Sequence, residues 1–463
     1  MERRPTNVPR DRFDFAHAPA ASDQSFENAL AKARGGERLT VADGIELLAT
    51  GTDREGIDAE RKALVLEAAD RRRAETVGDE VTFVANLNNN VTTACNTGCL
   101  FCNFKDPAGD FEAEGPAPET GATADADHGF TKTPAESRRI VRDAVERGIY
   151  EVTSVSGLHP AFALHDEHRE ILEAAGGPNY KPAERYRTDP GTYVEQMEAM
   201  AVDGVHVHSM TPEEAYHACR GTDWSYEEVY RTLREAGLDS VPGTAAEILV
   251  DEVRKVICPE KIDSGEWVRA MEAAAAVGLD VTATVMYGHV DNEAHRAMHL
   301  DAVRDLQDRT GAITEFVPLS FVHRNTPLNE EGLVTSGATR DEDELMIAVS
   351  RLYLDNVEHV QSSWVKYGDE LGLKMLSCGA DDFMGTILSE EITKRAGGDY
   401  GEFRSFEEYV DMITAVGRVP VERSTDYRTR RVVDPDADPI GPALGPKADG
   451  TPLTEAPPAP ADD

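Results

Sequence analysis

The sequence predicts an α/β fold: a (β/α) barrel, complete or partial and TIM-like, with helices ahead of it and a disordered C-terminal tail. Three observations predict it. From Val81 onward, short apolar runs alternate with longer helical stretches, the rhythm of βα units around a parallel sheet. Helix starts recur with one chemistry. Thr133-Pro134-Ala135-Glu136 and Thr211-Pro212-Glu213-Glu214 each combine a capping box with proline at the first helical position, and Gly148 closes the first of these helices. Finally, 463 residues suffice for one large barrel with additions, or for two to three average domains.

The elements follow in order. Residues 1–22 read as a disordered N-terminus. Residues 23–80 form a helical segment, with helices expected over Phe26–Arg34, Val41–Ala49 and Ile57–Glu75. The barrel takes residues 81–433 and ends in helical elements. Its strands are expected at Val81–Leu87, Tyr150–Val155, Gly204–His208, Val281–Tyr287, Ile313–Leu319 and Val357–Val365, with a weaker one near Ser240. Asp106–His128 and Asp166–Asp189 are rich in Pro, Gly, Ala and charge and read as surface insertions. Residues 434–463, an acidic, Pro-rich stretch, read as a disordered tail.

Charge narrows the setting. Acidic residues number 86 against 47 basic ones, a formal net charge of −39, spread along the whole chain. At molar salt the Debye length is only ~3 Å, so such a surface is screened while its carboxylates still hold water. A halophilic source is expected; an acidic protein adapted to ordinary salt is the alternative. The same charge argues against nucleic acid or an anionic membrane as partner. The N-terminal residues lack an export signal, and no apolar run nears the ~20 residues of a membrane span. Six cysteines in so long a chain make no disulfide framework. A cytoplasmic location is expected.

Cys95-Asn96-Thr97-Gly98-Cys99-Leu100-Phe101-Cys102 follows the first strand, where barrel active sites lie. Thiolates hold iron–sulfur clusters, as a rule through four positions. Three on one loop hold three irons of a 4Fe–4S cubane and leave the fourth open to a chelating substrate. A zinc site normally takes four ligands, and no second C-x-x-C pair is present, although a distant His could complete one. Cys219, Cys258 and Cys378 read as small buried hydrophobes.

Other positions carry candidate chemistry. Ser156 and Gly157 sit in the turn after the second strand, where backbone can approach a ligand closely; an ordinary strand-to-helix turn is the alternative. His206 and His208, two apart on the third strand, share a face and are expected to point inward. Glu247, in Pro242-Gly243-Thr244-Ala245-Ala246-Glu247, and Arg254 could bind ribose hydroxyls and a carboxylate, or lie on one solvated helix face. Tyr287, His289 and Glu315 end two later strands and are functional candidates, whereas Met286, Phe316 and Val317 read as packing. Trp364 and Lys366, near the last strand, could reach a substrate; for Lys366 a plain surface role is the alternative.

The cysteine loop, with its aromatic Phe101, resembles that of the radical S-adenosylmethionine (SAM) enzymes. Asn86 to Phe104, His206-Val207-His208-Ser209, Pro242 to Leu249, Tyr287-Gly288-His289 and Thr314 to Leu319 occur in one order that is similar to the FO synthase subunit 2 family of deazaflavin coenzyme biosynthesis. The resemblance spans roughly residues 25 to 430. It implies a radical SAM barrel with a 4Fe–4S cluster on Cys95, Cys99 and Cys102, and SAM as cofactor. It implies L-tyrosine and 5-amino-6-(D-ribitylamino)uracil as substrates, joined through a 4-hydroxybenzyl group with release of 2-iminoacetate. FO synthase subunit 1 and an electron donor are the implied partners. Ser156 stands where this family usually has a first glycine before Gly157; a backbone contact to SAM there requires Ser156 to keep a negative φ. Two other readings stay open: a futalosine-pathway radical SAM enzyme of menaquinone biosynthesis, and a zinc-binding barrel without catalysis.

Overall fold

The computed structural model describes residues 26–50, 58–107, 129–175, 180–388, 400 and 403–444. Three helices come first: α1 (Phe26–Gly35), α2 (Val41–Leu48) and α3 (Ala59–Val77). Thr40 and Asp43 cap α2 reciprocally, and Asp58 caps α3 by accepting the N–H groups of Glu60 and Arg61. Both helices bury one face against the outside of the barrel; Gly44 of α2 lets the ring of Tyr353 approach closely. All three expected N-terminal helices are present.

The barrel chain begins with β1 (Glu80–Val84) and β2 (Asn86–Asn88). A short pair, β3 (Ala94–Cys95) and β4 (Asp106–Pro107), flanks the cysteine loop. The βα units then follow: α4 (Pro134–Val145), β5 (Glu151–Ser154), α5 (Asp166–Ala175), α6 (Tyr193–Met200), β6 (His206–Ser209), α7 (Pro212–Cys219) and α8 (Tyr226–Glu235). Next come β7 (Ser240–Val241), α9 (Asp251–Ile257), α10 (Ser264–Ala276), β8 (Asp280–Tyr287), α11 (Glu293–Thr310) and β9 (Ile313–Ser320). The series ends with α12 (Pro327–Glu330), α13 (Arg340–Tyr353), β10 (His359–Val360), α14 (Trp364–Met375), β11 (Asp382–Gly385), a last helix over Phe406–Ala415, and the strands β12 (Val419–Arg423) and β13 (Arg430–Val432).

Seven strands form a parallel sheet in the order β10-β9-β8-β7-β6-β5-β2. A second sheet runs β11-β1-β12-β13. Gln361, just past β10, bridges Asp382 of β11 in parallel, and β11 pairs with β1. Since β1 runs through Ala85 into β2, the parallel pairings return on themselves and the barrel closes. Val152, Val207, Val241, Val285 and Phe316 face outward into the main apolar core under the helices. The register places Thr82, Glu151, Thr153, His208, Ser240, Thr282, Glu315, Gln361 and Asp382 on the other face, so the interior is polar.

The N-terminal end of the barrel is plugged. β12 pairs with β1 and turns back as β13, and the hairpin turn enters the barrel floor. Arg428 of that turn bonds Asp280 at the start of β8 (2.8 Å), and Thr425 donates to Glu151 of β5. Tyr427 stacks on His359 with ring centres 3.9 Å apart.

Several expectations need correction. Val357–Val365 is a strand only at His359–Val360, because Ser362 and Ser363 bond locally and Trp364 already opens α14. Strands β11, β12 and β13 were not anticipated; each is short and interrupted by Asp, Pro or Arg, so no clean alternation marks it. Asp166–Asp189 is not merely an insertion, since α5 buries His168 and Leu172. Residues 434–444, expected within the tail, are placed: the N–H groups of Ala443 and Leu444 donate to the buried Glu422, and Leu444 is itself buried. Residues 1–25, 108–128 and 445–463 lie outside the described residues, and with them the expected disorder at both ends and most of the first insertion.

Candidate functional site

The cysteine loop lies across the C-terminal mouth of the barrel. Asn96 N–H donates to Leu158 O in the loop after β5, and Leu100 N–H donates to Ile257 O at the end of α9. Leu100 O in turn accepts from Leu328 of α12. Cys99 is buried, whereas Cys95 and Cys102 are partly exposed. Thr97 N–H points at the Cys95 sulfur (3.5 Å), and the backbone amides of Phe104 and Lys105 favour the charged form of the Cys102 sulfur. Donors of this kind are what sulfurs carrying negative charge require, so the loop fits a thiolate-held cluster. Burial pushes the Cys99 and Cys102 thiols up, and neighbouring cysteines add to the effect. A ligand that takes the sulfurs as thiolates therefore displaces protons. Among the described residues no three His, Cys, Asp or Glu side chains converge as a single-ion site. Thiolates that each bind a different corner of a cubane need not converge.

The turn carrying Ser156 and Gly157 packs directly under this loop. Gly157 N–H donates to Thr92 O (2.9 Å), and a Cβ at Gly157 would sit 2.3 Å from Ala94 O, so only glycine fits. Ser156 Oγ accepts from Val91 N–H at 2.7 Å. The serine in place of a glycine is thus accommodated, tying the turn to the strand before the cysteines.

Arg254 is not placed as a carboxylate ligand. It is buried, and its guanidinium donates to the carbonyls of Ala245, Ala246 and Ile262. Those bonds hold a turn in which Ala245 and Glu247 adopt left-handed backbone, φ 75° and 47°. The carboxylate of Glu247 meets Lys261 Nζ at 2.8 Å. Glu247 and Arg254 are therefore not one solvated helix face; each has a separate buried partner.

His206 and His208 do face the interior. His206 Nε2 and His208 Nδ1 both lie 2.7 Å from Ser240 Oγ, which bridges them. Burial holds His208 down to about 4, so it is neutral at ordinary pH. Tyr287 points the other way: its hydroxyl donates to Asp343 of α13 (2.7 Å) and meets the Tyr367 hydroxyl, between barrel and helices. Its alternation along β8 decides this, since Thr282 and Thr284 take the inner face. His289 is buried beyond β8; its Nε2 donates to Met286 O and its Nδ1 accepts from Val290 N–H. Trp364 is fully buried in α14, its indole donating to Gly385 O, and Lys366 is half-buried on the same helix.

Glu315 sits at the barrel floor, away from the mouth. Tyr427 donates to it at 2.8 Å, Gln361 Nε2 lies 3.1 Å away, and Arg423 Nη2 3.5 Å. Burial pushes its carboxyl up to about 7. A carboxyl whose pKa rises on folding favours the folded state at low pH and loses that contribution as pH climbs from about 4.5 towards 7. Glu315→Gln removes this dependence. The variant is expected to gain roughly 1–3 kcal/mol relative to the parent between pH 5 and pH 8. Thermal unfolding at fixed salt checks it; parallel pH profiles would contradict it.

Four residues escaped sequence reasoning. In the sequence Glu213 and Glu214 mark only a helix start, yet both are buried. Glu213 accepts Ile262 N–H, and burial pushes Glu214 up to about 7. Lys261 and Arg423 lie far from any motif. The one available signal was Cys258-Pro259-Glu260-Lys261: the fold brings Cys258 into the same apolar cluster as Cys99.

Comparison with known proteins agrees with this geometry. Residues 89–303 match the radical SAM superfamily, and residues 310–435 match the CofH/MqnC C-terminal region. A 5-amino-6-(D-ribitylamino)uracil–L-tyrosine 4-hydroxyphenyl transferase of Haloarcula marismortui is 72% identical over 97% of this chain and 98% of its own length. Its counterpart from Halobacterium salinarum is 68% identical over 95% and 96%. Among solved structures, the [FeFe]-hydrogenase maturase HydG aligns at TM-score 0.58 and 16% identity, covering 88% of this chain and 78% of its own. Methylornithine synthase (PylB) aligns at 0.57 and 16%, covering 85% and 97%. At these identities the two structures show a shared fold alone.

Proposed function

The chain belongs to the radical SAM superfamily and, within it, to the 5-amino-6-(D-ribitylamino)uracil–L-tyrosine 4-hydroxyphenyl transferases, and on that premise we propose how its residues divide the work. The enzyme cleaves the side chain from L-tyrosine and joins the 4-hydroxybenzyl group to the aminouracil, releasing 2-iminoacetate. Cys95, Cys99 and Cys102 hold a 4Fe–4S cluster. When bound, the cluster supplies the electron that splits SAM into methionine and a 5′-deoxyadenosyl radical.

The observation that carries this reading is the placement of the cysteine loop over one mouth of a barrel whose other mouth is plugged. Arg423, Tyr427 and Glu315 close the floor, so substrates enter and leave at the cysteine end. Water is kept from a reactive radical. The polar inner face supplies hydrogen-bonding groups for a tyrosine and a ribityl chain. His208 and Ser240 are the inward groups best suited to this, since neutral imidazole and hydroxyl both donate and accept. The backbone of Ser156 and Gly157, beside the cysteines, suits SAM.

Among the described residues no helix is long and apolar enough to cross a membrane. We place the enzyme in the cytoplasm of a halophile, supplied by an electron donor and passing its product to a second radical SAM subunit, FO synthase subunit 1. The test is direct. Anaerobically reconstituted, reduced protein in molar potassium chloride receives SAM, tyrosine and the aminouracil. Deoxyadenosine that depends on tyrosine, together with a uracil adduct, is the expected result. No adduct, with turnover of a futalosine-type substrate instead, would overturn the substrate assignment; bound zinc without iron would overturn the cluster.

A further inference from the structure

The segment Cys258-Pro259-Glu260-Lys261-Ile262, which follows α9, crosses the cysteine loop and grips it. Leu100 N–H donates to Ile257 O at 2.8 Å, and Gly98 N–H donates to Glu260 Oε2 at 2.7 Å. Lys261 Nζ lies 5.6 Å from the centre of the Phe101 ring and 2.8 Å from Glu247 Oε1. The side chains of this ion pair are only 9% and 13% exposed. An apolar pair of similar size would often be as stable there, because burying two charges costs about what their attraction returns. Packing alone therefore does not account for the pair. Its surroundings are the aromatic face of the cysteine loop and a carboxylate. The paired Glu247 carboxylate, against the cost of burial, holds the ammonium above the ordinary lysine range, so a positive charge sits over the aromatic residue that precedes Cys102.

A fixed charge beside a cluster ligand acts on the electron count of the cluster. Reduction adds one negative charge, and in a poorly solvated site the interaction of that charge with a neighbour is far larger than in water. Net charge, hydrogen bonds to sulfur and exposure are the levers that set such potentials. We propose that Lys261 and Glu247 set the reduction potential of the cluster, the ammonium over the Phe101 ring of the cysteine loop favouring the reduced state and the carboxylate limiting that effect. Both are positioning residues in this role, since neither is a cluster ligand. Arg254 supports them by fixing the left-handed turn that presents Glu247. The inference rests on the cluster reading given above.

The test uses the reconstituted full chain without SAM, titrated anaerobically at fixed molar salt, with the EPR signal of the reduced cluster as readout. Lys261→Gln is expected to lower the ratio of reduced to oxidised cluster at a given potential about tenfold, equivalent to a midpoint about 59 mV more negative for a one-electron couple. Glu247→Gln is expected to move the midpoint the other way, and Lys261→Arg to leave it near the parent value. A purely structural role would not give opposite signs. Shifts of the same sign, or no shift in either variant at parental iron and sulfide content, would overturn the proposal. If Lys261→Gln fails to load iron, Glu247→Gln and Lys261→Arg decide: a more positive midpoint in the first with none in the second supports it, and an unmoved Glu247→Gln refutes it. Absence of iron from the parent protein would instead refute the cluster reading itself.

Discussion

Cys99→Ala protein, reconstituted with iron and sulfide, is expected to form no stable cluster and to cleave SAM at least about a thousandfold more slowly than the parent, about 4 kcal/mol of barrier. The physical reason is the position of Cys99. It is the buried member of the three, anchored on both sides by the bonds of Leu100 to the end of α9 and of Gly98 to Glu260 just beyond it. Removing its sulfur would strip one iron of its protein ligand, and alanine in that small apolar cluster offers nothing to replace it. The barrel itself should survive, because Cys99 belongs to a small apolar cluster at the mouth rather than to the main core. Iron content, the EPR spectrum and deoxyadenosine formation check this together with a thermal melt. Parental iron content and SAM cleavage in the variant would remove the basis of the assignment.

Arg423→Met is expected to destabilise the fold by about 3–5 kcal/mol, the cost of leaving buried carboxylates without their cation. Arg423 is almost fully buried at the barrel floor. Its Nε donates to Asp382 at 2.7 Å, its Nη2 lies 3.5 Å from Glu315, and its guanidinium sits 4.2 Å from the Tyr427 ring. Without it, Asp382 and Glu315 face one another across the Tyr427 hydroxyl. The deficit should shrink below about pH 6, where Glu315, pushed up to about 7 even beside the arginine, takes a proton. Unfolding midpoints at pH 5.5 and pH 8, at one salt concentration, test both statements. A loss under about 1 kcal/mol at pH 8 would show that the plug does not depend on this charge network.

Much of this protein is written locally. The N-terminal helices, the capping boxes at Thr133 and Thr211 and most of the parallel strands follow from periodicity and turn chemistry, because those act over a few residues. The cysteine loop is equally local: three thiols within eight positions need no tertiary contact to be recognised. The inward direction of His206 and His208 also follows from strand alternation alone.

Tertiary structure decided which charged residues meet. The sequence places Glu315 and Tyr287 at strand ends, but only Tyr287 ends one; Glu315 lies near the start of β9, so it turns to a sealed floor while Tyr287 turns to the helices, because register and closure fix the direction of each side chain. Arg254 could have bound a ligand carboxylate; the turn it braces shows why it does not. Lys261, Glu213 and Arg423 gained significance only through neighbours distant in sequence, and the plug exists because β12 pairs with β1 across most of the chain. Sequence alone determined the fold class and the spacing of the cysteine loop, since both depend on short-range pattern. Which carboxylates are buried, which cation lies on the cysteine loop and which end of the barrel is open were decided by long-range pairing, where burial turns weak surface charges into strong local ones.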